Sequence, residues 1–123
     1  MGRIRLKRAY EPAGRADGRR FLVERLWPRG VTKEALAVET WLKDVAPSAA
    51  LRTWYGHDAA KWPEFRRRYL DELAQHDAAL APLREALRRG PVTLVFAARA
   101  PERSSAAVLR EYLEGTPRGR RPG

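Results

Sequence analysis

Residues 91–97 read Pro-Val-Thr-Leu-Val-Phe-Ala, a β-branched and aromatic run without the polar alternation of a half-exposed strand. Such a run needs cover on both faces. A central place in a parallel sheet flanked by helices provides it, so this segment alone points to an α/β layer architecture.

The rest of the chain supplies the matching pieces. Ile4–Arg8 alternates apolar and basic residues and reads as a strand with one solvated or site-facing side. Pro12, Gly14 and Asp17-Gly18 mark residues 11–20 as a loop, short for a parallel crossover. Phe21–Trp27 is a second strand, ended by Pro28 and Gly30, and Thr32 caps a short helix beginning at Lys33. Trp41, Leu42 and Val45 give one short helical face before Pro47, and Ser48 caps a turn that carries Leu51, Trp54 and Tyr55 and stops at Gly56. Trp62, Phe65, Tyr69 and Leu73 then recur at steps of three and four, the core face of a helix with Pro63 at its start. Asp77 is placed to cap a helix bearing Leu80, Leu83 and Leu87, with Gly90 as its stop. Ser104 or Ser105 caps a last helix carrying Val108, Leu109, Tyr112 and Leu113. The reading is a small α/β domain over residues 1–114, with a mostly parallel three-stranded sheet flanked by helices.

With 123 residues there is room for one domain. No apolar stretch approaches the roughly 18–20 residues of a membrane helix, and no apolar run follows the charges of Met1–Arg5 as in a signal peptide. The absence of cysteine removes disulfides, thiolate nucleophiles and Cys-ligated metals and suits a cytoplasmic protein. Two histidines without metal-ligand spacing and acids scattered along helices leave no metal site, and no nucleotide-cofactor motif is present, so neither metal nor cofactor is expected.

The formal net charge is +10, unevenly spread. Residues 1–20 net +5, residues 115–123 net +3, and the body between them only +2. The Gly/Pro/Arg-rich segment 115–123 is read as a disordered, solubilising tail; contact between the basic ends and nucleic-acid phosphates is the alternative.

Ligands of open α/β sheets gather beyond the carboxyl ends of the strands. Parallel second and third strands would bring Arg25, Arg29 and Arg99 to one edge, with the last helix opening there at Ser104-Ser105. Guanidinium forks grip phosphate or carboxylate in two-point geometry, and Trp27 offers a flat wall. The expected partner is therefore an anionic small molecule. The structural alternative has Arg25 paired to Asp44 or Asp58, Arg29 solvated and Trp27 in the core. His57-Asp58 sets an imidazole beside a carboxylate, a weak candidate for general-base catalysis; the alternative is a helix cap at Asp58 and a loop histidine. A partner-binding domain without a ligand is a third reading.

Several segments carry a family resemblance. They are Ile4–Arg8 with Tyr10, Asp17-Gly18, Glu24-Arg25-Leu26-Trp27-Pro28-Arg29-Gly30, Trp41–Ser48, Trp54-Tyr55-Gly56-His57-Asp58, Trp62 with Phe65 and Tyr69, Thr93–Ala98 and Ala107-Val108-Leu109. Together they resemble the YeaO-like branch of the domain-of-unknown-function 488 (DUF488) family, over nearly all of Ile4–Leu113. The resemblance implies a compact α/β domain and groups Arg25, Trp27, Arg29 and His57; it brings no reaction, since the family is named for lacking one. Relatives commonly carry Asp at the position of Glu24, and Lys-Asp followed by an acidic, His- and Asn-rich stretch where this chain has Arg99–Ser105. Ala100 thus stands where they have an acid, and Arg103 and Ser where they have His and Asn: if the loop catalyses or binds metal in relatives, the resemblance implies that this chain has lost that, and if it only binds, the added positive charge favours a more anionic ligand.

Overall fold

The computed structural model describes residues 3–115. Four strands form one fully parallel sheet: β1 (Ile4–Arg8), β2 (Arg19–Leu22), β3 (Thr40–Trp41) and β4 (Val92–Phe96), in the order β1-β4-β2-β3. The apolar run is central as its composition demands, with every residue of β4 buried. Five helices surround the sheet: α1 (Lys33–Leu36), α2 (Ala49–Tyr55), α3 (Trp62–Gln75), α4 (Ala81–Arg89) and α5 (Ser105–Gly115).

Period-two alternation divides the core into two layers. Ile4, Phe21, Val23, Val92, Leu94 and Phe96 face the main layer with Leu51 of α2, Phe65, Tyr69 and Leu73 of α3, and the apolar faces of α4 and α5. Leu22 and Val95 face the other side, where Leu36 of α1 and Ala9 close a smaller cluster against Trp27 and Trp41. The Tyr69 hydroxyl, inside the main layer, donates to the Val45 carbonyl and so avoids an unmet polar group.

The short connection from β1 to β2 has to step across β4. Asp17, 1% exposed, holds it there. Its carboxylate accepts from Lys7 Nζ at 3.1 Å, Arg20 Nη1 at 2.7 Å and the Gly14 N–H at 2.9 Å. Its carbonyl accepts from the Thr93 hydroxyl of β4 at 2.7 Å. Gly18 follows at φ 65°, where an added Cβ would stand 2.3 Å from the Pro91 carbonyl oxygen.

Caps fall largely where the sequence places them. Thr32 accepts from the Ala35 N–H and Ser48 from the Leu51 N–H, Gly56 ends α2 in the left-handed region, and Ser104 accepts from the Ala107 N–H. Four expectations are corrected. The sheet has four strands, because Thr40-Trp41 pairs with Phe21-Leu22 in place of a helical turn. The second strand ends at Leu22 and not at Trp27, because the chain leaves the sheet at Glu24, and Leu26 is 67% exposed despite its apolar character. Asp77 begins a short 3₁₀ turn, and α4 starts at Ala81 with Pro82 in its first turn. The Asp77 carboxylate accepts from Arg84 and the Tyr112 hydroxyl and caps nothing. Of the segment expected to be a tail, Gly115 closes α5, and residues 116–123 lie outside the described residues. No described helix is long and apolar enough to cross a membrane.

Candidate functional site

Because all strands run in parallel, the chain leaves β1, β2 and β4 at one edge of the sheet. The exits are tied together. Arg8 Nε donates to the Ala98 carbonyl at 2.9 Å, and the Ala97 N–H donates to Glu24 Oε2 at 2.9 Å. Trp41 Nε1 fixes the Glu24 carbonyl at 2.6 Å from the neighbouring strand. A cleft of about 620 Å³ opens beside these ties, between the β2 exit, the end of α2 and the loop that leads from β4 into α5.

Arg25, Arg99, His57, Ser104 and Ser105 all line this cleft. Arg25 is held by backbone, donating to the Pro47 carbonyl at 3.2 Å and more loosely to that of Ala46. The structural pairing with Asp44 or Asp58 is therefore not made. Ser104 has its hydroxyl committed to the cap and to the Pro101 carbonyl, so from this end of α5 the side chain left to the cleft is Ser105. His57 follows Gly56 in the left-handed region at φ 60° and lies on the cleft wall. Asp58 does not line the cleft; its carboxylate accepts from the Ala60 N–H at 3.0 Å and caps a 3₁₀ turn.

Two expected members lie elsewhere. Trp27 is carried to the opposite side of the sheet, where Nε1 donates to the Val31 carbonyl at 2.6 Å and the ring meets Trp41 edge-to-face at 5.5 Å. Arg29 is exposed and does not line the cleft. Both displacements follow from the early end of β2, which places Glu24 and Arg25 at the edge and sends the next residues around it. The flat wall of the cleft is Tyr55, packed on Phe65 at 4.5 Å.

Glu24, Arg52 and Arg103 complete the cleft and were not singled out from sequence as site residues. Glu24 carried a signal as the acid preceding Arg25 at a strand end. Arg52 carried none, because one arginine of a short helix resembles any other until the helix is docked.

The electrostatics are one-sided. Arg25, Arg52, Arg99 and Arg103 face a single carboxyl, Glu24. Burial pushes the Glu24 carboxyl above its ordinary range, partly offset by the Ala97 N–H and the charge of Arg52. Eight described arginines elsewhere, among them Arg19, Arg20, Arg66, Arg67, Arg68 and Arg84, are bridged to a carboxylate. Among the described residues the four of the cleft form no such bridge, and no cluster of three metal-ligating groups exists.

A family model described as the inactive DUF488-N3 subclade (DUF488-N3i) matches residues 3–120. The chain belongs to the DUF488 family. The uncharacterized protein Rv3073c of Mycobacterium tuberculosis is similar, 49% identical over 114 residues, which covers 92% of this chain and 95% of that protein. YeaO of Escherichia coli, also uncharacterized, is 40% identical over 110 residues, or 89% of this chain and 96% of its own. No solved structure matches. In this chain the cleft draws Glu24-Arg25 from just before Leu26-Trp27-Pro28-Arg29-Gly30, Arg52, Tyr55 and His57 from in and after α2, and the loop after β4.

Proposed function

We propose that this DUF488 protein binds a phosphate- or carboxylate-bearing small molecule in the cleft at the carboxyl edge of its sheet, and holds it without converting it. The observation that carries this reading is the convergence of four arginines, none bridged to a carboxylate among the described residues, on one cleft whose lining holds a single carboxyl, Glu24. Unpaired guanidinium groups converging beside a helix N-terminus form an anion receptor, since each offers a two-point fork and the helix end adds partial positive charge. Tyr55 provides a face for a planar or apolar part of the ligand. Glu24 uses one carboxylate oxygen on the Ala97 N–H and keeps the other for a ligand donor, which favours an anion that also carries hydroxyl or amino groups.

Binding without turnover is supported from two sides. The matching subclade is described as inactive. No acid–base pair is assembled either, because His57 lies on the wall while the Asp58 carboxylate is spent on a cap.

A thermal-shift screen against phosphorylated and carboxylated metabolites tests the proposal. A ligand at 100 times its Kd adds about 2.7 kcal/mol, several degrees for a chain of this size. The expected result is a salt-tolerant shift from one compound class, abolished by Arg25→Ala or Arg99→Ala, with the compound recovered unchanged. A flat screen, or a shift that survives both substitutions, overturns it.

A further inference from the structure

A second basic concavity lies at the opposite edge of the sheet, where the strands begin. It is a groove of about 540 Å³ lined by Arg3 and Arg5 at the start of β1, Arg88 and Arg89 at the end of α4, and the Gly90-Pro91 lead into β4. All four arginines are exposed. Among the described residues the only carboxylate bridged to any of them is Glu85, which both Arg88 and Arg89 share. It also acts on Arg19, whose own partner is Glu39. Cations at the C-terminus of a helix have a structural reason to be there, since they complement its dipole. That reason covers Arg88 and Arg89. It does not cover Arg3 and Arg5, which precede or open a strand, have no bridging carboxylate, and still line the same groove.

We infer that this groove is a second site, distinct from the cleft, which grips the phosphate backbone of a nucleic-acid duplex. Four guanidinium groups in one groove suit adjacent phosphates, which they hold in two-point geometry. The bridges to Glu85 are exposed, weak in water and readily exchanged for a phosphate. The remaining lining decides between polyanions. Ala16, Gly90 and Pro91 supply no large aliphatic or aromatic side chain to enter a bilayer, and no aromatic ring on which an unpaired base would stack. The interaction is therefore with the backbone, without sequence preference, and favours duplex over single strand.

The test is a fluorescence-anisotropy titration of the full-length protein with a short labelled duplex, from about 50 to 200 mM salt. Each phosphate contact adds about 0.9 to the slope of log affinity against log salt, so a slope near 3 to 4 is expected. Neutralising Arg88 and Arg89 together to Gln should weaken binding about tenfold and flatten the slope by about 2, and neutralising Arg3 and Arg5 should do the same. All four are exposed, so both double variants should keep the melting temperature of the parent within a degree or two. Arg25→Ala and Arg99→Ala should leave duplex binding unchanged, which separates this site from the cleft. The inference is overturned if no duplex binding appears at low salt, if both double variants bind like the parent, or if vesicles containing phosphatidylserine bind and the duplex does not. It is equally overturned if binding is lost only when Arg118, Arg120 and Arg121 are neutralised, which would assign it to the tail.

Discussion

Glu24 is the residue whose charge weighs against both the fold and the binding of a simple anion. It sits half-buried among arginines, and burial raises its carboxyl above the ordinary range because the charged form loses solvation that Ala97 and Arg52 only partly restore. A carboxyl raised in the folded state binds protons more readily there than in the unfolded chain. Its charge therefore weakens the fold once pH rises through the folded pKa, and the penalty disappears below the unfolded value of about 4.3. Glu24→Gln keeps an acceptor for the Ala97 N–H and removes the charge. The variant should melt higher than the parent at pH 7, with the difference closing as pH falls toward about 4 in parallel melts. It should also bind simple phosphate more tightly at neutral pH, because four guanidinium groups would no longer face an opposing charge. Equal melting at every pH would show that burial of this carboxylate costs the fold nothing. The site was legible here in part. Arg25 and Arg99 flank strand ends, which the topology of a parallel sheet brings together, whereas Trp27 and Arg29 belong to a segment whose path depends on a turn that no periodicity encodes.

Among the elements, the connection between β1 and β2 carries a buried ion pair, Asp17 with Arg20, joined by Lys7. Burial alone would raise the Asp17 carboxyl, but the Gly14 N–H, Lys7 and Arg20 outweigh it and hold it below the usual range. A carboxylate lowered in this way stabilises the fold above the unfolded pKa, and that contribution is lost as pH falls through the folded one. Asp17→Asn leaves the buried Arg20 guanidinium, which also donates to the Leu36 carbonyl, without its counter-charge. The substitution should cost about 3–5 kcal/mol at neutral pH. Urea unfolding should show the gap to the parent narrowing in acid, below about pH 4. This lock explains why a connection that reads as too short for a parallel crossover is sufficient: it is a braced step across one strand, with only the three-residue 3₁₀ turn Arg15–Asp17 in it. Long elements with strong periodicity, such as α3 and β4, were evident from composition because burial of one stripe or of both faces leaves a repeated mark. The two residues of β3 left none, since pairing with Phe21 and Leu22 is decided by the neighbour and not by Thr40 and Trp41 themselves. The early end of β2 was hidden by Leu26, which extends the apolar pattern into a segment that faces solvent.

At the scale of the whole molecule, the positive charge has two addresses, one at each edge of a single sheet, and the acids of the outer helices neutralise much of the rest. The strand order has a different consequence, which concerns time. β4 lies between β1 and β2, so two of the three ladders in the sheet need a strand that begins at Val92 of a 123-residue chain. β1 and β2 have no ladder to each other, and the two-residue pairing of β2 with β3 is too small to persist alone. A ribosome that has not yet made β4 therefore holds only loose helices and unpaired strands. Nascent chains arrested at successive lengths should stay protease-sensitive until β4 and α5 have emerged, then become resistant in one step. Gradual protection from the N-terminus would show that α2 to α4 assemble before the sheet. Under the expected outcome, this fold is acquired only once β4 and α5 are out, and its early strands must wait, exposed to chaperones, for the one that joins them.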